Sequence, residues 1–429
     1  MKILVIGSGG REHAIIWAIK NSLRETNVFC ANGNAGIASL ATCVDISPTD
    51  IQGLLEFAIH NEIDLTFVGG ETSLALGVVD EFEKHNLRVI GTSMKATQLE
   101  SSKAFAKDFM ARHQIPTATY KVANSSEEAV DMLTAGDFGD ENSPVVVKAD
   151  GLAAGKGVVV AGNRQEAIDA VGAMVSGELI DSAAAGRIVL EECLVGREVS
   201  LLMFVDGEDF SLMPPTRDHK RIGEGDTGAN TGGMGTITGA DLLSKDQTET
   251  IIEQIIKPTI RGANDDGFPV KGILFLGLMM TDKGAKVLEY NVRFGDPETQ
   301  VILVNLETDF IDICEAIENC ELKQLNIEWK EGCSACVILA AENYPKSPRK
   351  GDVISGLDEA MKREETMIFH AGTSINEDGE FVTAGGRVLS VTVTASRLSS
   401  ALHRAYKAVN DITWDGMQYR RDIGKDAEG

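Results

Sequence analysis

Short apolar runs and longer amphipathic stretches take turns over residues 1–102. The runs at 3–6, 28–30, 65–68 and 88–90 are apolar and rich in β-branched residues, which predicts strands. The stretches at 12–21, 50–60 and 74–85 carry apolar residues at helical spacing, which predicts helices. Such alternation implies a parallel sheet with helices on both faces.

Past residue 102 the pattern changes. Helices are predicted over 103–113, 125–134 (capped by Ser125 or Ser126), 164–176, 248–263 and 395–410. At 145–160 the chain reads VVVKADGLAAGKGVVV, two β-branched runs around a glycine-rich tip, which predicts a hairpin. Further strands are predicted at 188–194, 197–205, 272–280, 285–291, 333–340, 368–372 and 387–393. Residues 213–236 show no period and many glycines and prolines, which predicts a long functional loop. Residues 328–424 read as a small unit that completes a core, and 425–429 as a frayed end.

Composition narrows the class. A chain of 429 residues accommodates two to four domains. The formal charge of −25 argues against a nucleic-acid or membrane surface, so an anionic ligand needs local basic clusters. No window approaches the roughly 18 consecutive apolar residues of a membrane helix. The N-terminus enters a strand at once, without a signal-peptide layout, and a cytoplasmic protein is expected. The 7 cysteines are scattered and odd in number, so reduced thiols are expected, including Cys333 and Cys336 in their CxxC.

The candidate chemistry lies at the ends of these elements. Glycines around Lys148 and Lys156, namely Gly151, Gly155 and Gly157, let backbone amides approach phosphate while the lysines supply charge. The layout differs from a P-loop, because Gly157 follows Lys156 and a strand comes next. Gly9, Gly10, Arg11 and His13 sit on the first strand-to-helix turn, where a helix N-terminus can hold phosphate. Glu12 replaces the third glycine of a dinucleotide fingerprint, and no acid follows the second strand. A small phosphorylated ligand fits better than NAD. Glu71 follows a strand end and suits sugar hydroxyls. Lys103, in the first turn of its helix, calls for a compensating anion.

Glu191, Glu192, Cys193 and Leu194 leave a strand in a way that suits an adenine edge, with Glu198 placed for a ribose. Arg217 to Arg221 form a basic cluster containing Asp218, His219 and Lys220, and Asn230, Thr231 and Gly232 offer amides and a hydroxyl to a substrate. Glu289, Asn291 and Arg293 alternate along one strand and so share a face. The carboxylate and amide oxygens suit Mg²⁺ shared with phosphate, and the arginine suits a transferring phosphoryl group.

Five motifs then occur in order: GSGGREHA at 7–14, KADGLAAGKGV at 148–158, DHKR at 218–221, NTGGMG at 230–235 and RFGDPETQ at 293–300. Together they resemble the glycinamide ribonucleotide synthetases of the ATP-grasp superfamily, over nearly the whole chain. The resemblance implies an α/β fold: a Rossmann-like domain (1–102), an ATP-grasp domain (103–327) with a lid subdomain at about 117–190, and a C-terminal α+β domain (328–424). It implies ATP on Lys103, Lys148, Gly155, Lys156, Gly157, Glu191 to Leu194 and Glu198, with Mg²⁺ or Mn²⁺ on Glu289 and Asn291. Phosphoribosylamine and glycine would lie on Gly9, Gly10, Arg11, His13, Glu71, His219, Arg221, Asn230 to Gly232, Gly295 and Asp296. Arg293, Asp218 and Lys220 would serve catalysis, with Asp218 or His219 helping to deprotonate the amine. The implied reaction forms glycyl phosphate and then an amide, in purine biosynthesis, on a monomer without nucleic-acid or membrane partners. The alternative is another ATP-grasp carboxylate–amine ligase or a carboxylase. Gly70 and Arg217 stand where the family usually has Pro and Gln.

Overall fold

The computed structural model describes residues 1–152, 157–177 and 186–427. Its N-terminal sheet is parallel, built from β1 (Lys2–Gly7), β2 (Asn27–Asn32), β3 (Thr42–Val44), β4 (Leu65–Val68) and β5 (Val89–Ile90) in the order β3-β2-β1-β4-β5. Alternate residues of β1 enter different cores, as the strand period requires. Leu4 and Ile6 pack with Leu54 and Leu55 of the helix Ile51–His60, while Ile3 and Val5 pack with Ile15 and Ile19 of the helix Gly10–Lys20. The strand order reverses at β1, so the carboxyl ends of β1 and β4 open a crevice, the usual ligand position in such sheets.

A second sheet is antiparallel, with β6 (Tyr120–Ala123), β7 (Val145–Ala149), β8 (Val158–Ala161) and β9 (Ile188–Glu192) in the order β6-β9-β7-β8. The helices Ser126–Ala135 and Arg164–Val175 cover it through Ala129, Leu133, Ala167, Val171 and Met174. The predicted hairpin is β7–β8, with Lys148 paired to Val158. Gly155 and Lys156, expected at its tip, lie outside the described residues.

The largest sheet takes in β10 (Arg197–Asp206), β11 (Phe210–Leu212), β12 (Thr216–Asp218), β15 (Gly235–Thr238), β16 (Lys271–Thr281), β17 (Gly284–Asn291), β18 (Cys333–Ala340), β19 (Thr366–His370) and β22 (Arg387–Ala395). The order is β17-β16-β10-β12-β15-β18-β22-β19, with β11 also on β10. A hairpin of β13 (Arg221–Gly223) and β14 (Thr227–Asn230) stands apart from it, as does the pair β20 (Thr373–Ile375) and β21 (Phe381–Thr383).

This corrects the sequence reading of 213–236 as an aperiodic loop: it holds β12, β13, β14 and the start of β15. Strands of three or four residues, half of them glycine or charged, leave no period to detect. Strands of the 328–424 stretch continue the same sheet as β10 and β16, while Val337, Leu339 and Val391 share a core with Ala405 and Val409 of the helix Leu398–Val409. The helix Glu298–Leu303 is buried along its whole length and so has no amphipathic stripe to reveal it.

Candidate active site

A cavity of about 770 Å³ lies where the three sheets meet. Its wall includes Arg11 and Glu71 from the N-terminal unit, Lys103, Lys148, Glu191 to Leu194 and Glu198 from the middle, and Asp218, Lys220, Arg221, Asn230 to Gly232, Glu289, Asn291, Arg293 and Arg387 around the large sheet.

The β17 exit supplies the most charged part of the floor. Glu289, Asn291 and Arg293 all face the cavity, as their shared strand face predicts. Arg293 is held on several sides. Its Nη2 lies 2.8 Å from Glu100 Oε1 and donates to Asn291 Oδ1 at 3.3 Å, and its Nε meets Glu71 Oε2 at 3.2 Å. Burial works against its charge, but Glu100 and Glu71 hold its pKa above the ordinary value. Burial likewise opposes ionisation of Glu71, yet Arg293 and Arg11 pull it down to about 2. Glu71, expected on sugar hydroxyls, is thus an ionised partner of two arginines.

Lys220 Nζ sits 3.1 Å from Glu198 and 3.7 Å from Glu289 Oε1, and these carboxylates, Glu198 foremost, hold its pKa high. Burial of Glu289 is outweighed by Lys220, Lys148 and Lys103, which lower its pKa. Among the described residues no group of three or more His, Cys, Asp or Glu is placed to hold a metal ion. The hard donors on the floor are one carboxylate and one amide oxygen, a set that fits Mg²⁺ or Mn²⁺ if phosphate and water complete the shell.

Next to this floor, Glu191 is buried between two lysines. Lys107 Nζ lies 2.9 Å from its Oε2, and Lys148 Nζ lies 2.8 Å from its Oε1. Lys148 also donates to Leu288 O at 3.1 Å, which ties β7 to β17. Burial drags the Lys107 pKa down to about 8 despite Glu191. Lys107 escaped the sequence reading, because a lone lysine in a helix reads as a solvated face. Glu192 takes Lys286 and the Thr119 amide, both at 2.9 Å, so it braces the rim that Cys193 and Leu194 line. Lys103 Nζ donates to Gly151 O, and Asp150 Oδ1 accepts the Ala104 amide at 3.2 Å. Burial lowers the Lys103 pKa, and the carboxylates of Glu289, Glu100 and Asp150, Glu289 foremost, work against that shift. Gly157 lines the cavity beside Lys148.

Two neighbouring acids, half-buried Asp218 and buried Glu298, also line the cavity. Burial raises the pKa of both Asp218 and Glu298, and each feels neighbouring carboxylates as well as Lys220. Ser200 Oγ donates to Glu298 at 3.3 Å, and the His219 amide donates to Asp218 at 2.8 Å. Close by, Arg387 Nη2 pairs with Asp296 at 3.2 Å, and Gln300 Nε2 donates to the other Asp296 oxygen at 2.9 Å. Arg387 also donates to the main chain at Gly232 and Asp296. Glu298 lies within the RFGDPETQ motif, whereas Glu100 and Arg387 gave no local signal.

Some expectations fail on geometry. The turn at Gly9 is closed by its own sequence: Glu12 Oε2 accepts the Gly9 amide at 2.6 Å, and Glu12 Oε1 meets Arg11 Nε at 2.6 Å. The Glu12 carboxylate thus takes up the Gly9 amide, and Gly9 and Gly10 are not among the described residues that line the cavity. A Cβ on Gly69 would stand 2.2 Å from Glu12 Oε1, so that glycine makes room for a side chain, not a ligand. Arg11 does reach the cavity and donates to Phe294 O at 2.9 Å. His13 turns away from it: its Nδ1 accepts the His370 amide at 2.8 Å, and its ring packs edge-on against Phe369. His219 is also no proton acceptor for a substrate. Its Nδ1 donates to Gly235 O and its Nε2 accepts the Gly424 amide, each at 3.1 Å. By contrast Arg221, Asn230, Thr231, Gly232, Gly295 and Asp296 all line the cavity.

Comparison with known proteins matches this architecture along its length. The family model described as phosphoribosylglycinamide synthetase matches through its N domain at residues 1–100, its ATP-grasp (A) domain at 101–299 and its C domain at 334–426. The phosphoribosylamine–glycine ligase of Vibrio parahaemolyticus is 46% identical over 427 residues, 99% of this chain and 98% of that protein. The ligase of the same name from Caldanaerobacter subterraneus is 43% identical, covering 99% of both chains. The crystal structure of the Thermotoga maritima phosphoribosylamine–glycine ligase superposes with a TM-score of 0.84 at 34% identity, over 98% of this chain and 100% of that one. The biotin carboxylase domain of Hydrogenobacter thermophilus 2-oxoglutarate carboxylase shares the fold alone, with a TM-score of 0.71 at 17% identity over 97% of this chain and 91% of that one.

Proposed function

The chain belongs to the phosphoribosylglycinamide synthetase family, with the ATP-grasp fold, and we propose that it joins glycine to 5-phospho-β-D-ribosylamine, forming glycinamide ribonucleotide, ADP and phosphate. One observation carries the reading of the site: a single cavity combines the Arg293, Glu289 and Asn291 floor with the lysines at 103 and 148 and the polar segment 218–232.

In the first step a glycine carboxylate oxygen attacks the γ-phosphorus of ATP, the bond to the ADP oxygen breaks, and glycyl phosphate forms. Arg293, fixed by Glu100 and Glu71, stabilises charge on the phosphoryl oxygens. Lys103 and Lys148 hold the nucleotide phosphates, and the strand exit from Glu191 to Leu194 receives the adenine. Glu289 and Asn291 would hold Mg²⁺ or Mn²⁺, which neutralises phosphate charge.

In the second step the amine of phosphoribosylamine attacks the acyl carbon, the C–O bond to phosphate breaks, and the nitrogen loses a proton. The acids Asp218 and Glu298, whose pKa values burial raises, would take that proton. Lys220 opposes that shift and favours the ionised form of both acids.

The test is ADP release with glycine and phosphoribosylamine each omitted in turn. ADP formation that needs glycine supports the reading. ADP formation driven by bicarbonate and indifferent to glycine overturns it.

A further inference from the structure

Just before residues 425–429, which were expected to fray, the chain doubles back onto the cavity wall. Arg420, only 2% exposed, sends Nη1 to Asp226 Oδ1 at 2.6 Å and to Arg221 O at 3.2 Å. Its Nε and Nη2 grip both oxygens of Asp422 at 2.8 Å. Asp422 in turn accepts the Gly225 amide at 2.7 Å. The Gly424 amide donates to His219 Nε2, between the cavity residues Asp218 and Lys220. One short stretch therefore holds both the β13–β14 hairpin and the strand leading into it.

The stretch is itself anchored from behind. Tyr406, on the helix Leu398–Val409, donates its hydroxyl to Arg420 O at 3.0 Å and accepts the Ile423 amide at 3.1 Å. Arg221, Asp226 and Asn230 of the hairpin line the cavity, but among the described residues the hairpin pairs with no other strand. A two-stranded ribbon is marginal alone, so its position depends on what grips it. Burial opposes the charge on Asp422, but Arg420 and the Gly225 amide hold its pKa at about 2, so the grip is ionic at neutral pH.

We propose that Arg420 is a positioning residue for the substrate side of the site, fixing the Arg221–Asn230 hairpin through Asp226 and Asp422 and so setting affinity for the sugar amine and glycine. The proposal rests on the reading of that cavity wall given above.

The experiment compares Arg420→Gln, Arg420→Lys and Tyr406→Phe with the wild type in steady-state kinetics and in amide hydrogen exchange. In Arg420→Gln, KM for phosphoribosylamine and glycine should rise about tenfold, with kcat and KM for ATP within about threefold of wild type. Arg420→Lys should recover part of that loss, and Tyr406→Phe, which leaves the ion pairs intact, should give a smaller rise of the same kind. The Gly225 amide should exchange faster in Arg420→Gln. Unchanged KM values together with unchanged exchange would overturn the proposal. So would a fall in kcat and in ATP affinity that merely tracks lost thermal stability. If Arg420→Gln does not fold, Tyr406→Phe decides by the same criteria. A wild type that releases no ADP with glycine overturns the functional reading, while faster Gly225 exchange would still report the grip.

Discussion

Glu100 holds Arg293 twice. One carboxylate oxygen pairs with the guanidinium at 2.8 Å, and the other accepts the Val292 amide at 2.9 Å, just before the arginine in the chain. The arginine proposed to face the phosphoryl group is therefore fixed in side chain and main chain by one buried acid. Glu100→Gln should lower kcat for glycine-dependent ADP release by about a hundredfold, within the range seen when one charge-stabilising donor is misplaced. Arg293 keeps Glu71, so stability, read from the denaturation midpoint, should fall by less than the roughly 3–5 kcal/mol that a wholly unpaired buried charge costs. Arg293→Ala should lose at least as much activity, and the double variant little more, because both act on one group.

Glu289 is the carboxylate of the proposed cation site, and its negative charge also balances Lys220 at 3.7 Å. Glu289→Gln keeps the shape and removes the charge. The Mg²⁺ concentration for half-maximal ADP release should rise roughly tenfold or more. A metal titration at saturating ATP checks this. An unchanged Mg²⁺ requirement would move the metal elsewhere.

The two buried imidazoles make stability fall in mild acid. Burial, with help from His370, brings His13 down to about 3, and burial brings His370 down to about 4. In the unfolded chain both titrate near 6.5. Between pH 6.5 and these lowered values the unfolded state binds more protons, so stability drops as pH falls through that window. At pH 5 the loss is about 2 kcal/mol for each ring. Urea denaturation at pH 7.5 and pH 5 measures it, and His13→Asn should show a smaller pH effect than wild type.

Gly69 is a space reserved for Glu12. Gly69→Ala would bring a methyl group against the Glu12 carboxylate, at 2.2 Å before relaxation. It should destabilise by about 1–3 kcal/mol, the range for overpacking. Combined with Glu12→Ala, the second loss should be less than additive, since the colliding group is gone. Thermal denaturation of the three variants gives the coupling.

How much of this could be read from the chain varies by residue. β1 and β4 are fully buried runs whose composition announces them, and their alternation with helices fixes a parallel sheet. Glu289, Asn291 and Arg293 were legible as a group because strand geometry puts alternate residues on one face. The β13–β14 hairpin was not, because its short polar strands have no apolar face. His13 and His219 were misplaced for a different reason: a motif identifies residues, but not whether a ring turns toward the cavity or into the core.

The sequence by itself determined the alternation of strands and helices over residues 1–102, the five motifs, and the strand face that carries the charged floor. These depend on periodicity and on neighbours in the chain. Only the tertiary structure decided the partners of that floor: Glu100 meets Val292 across 192 residues of chain, and Arg420 meets Asp226 across 194. No local pattern encodes such pairs, because burial brings the charges together and the cost of burying one alone selects its partner.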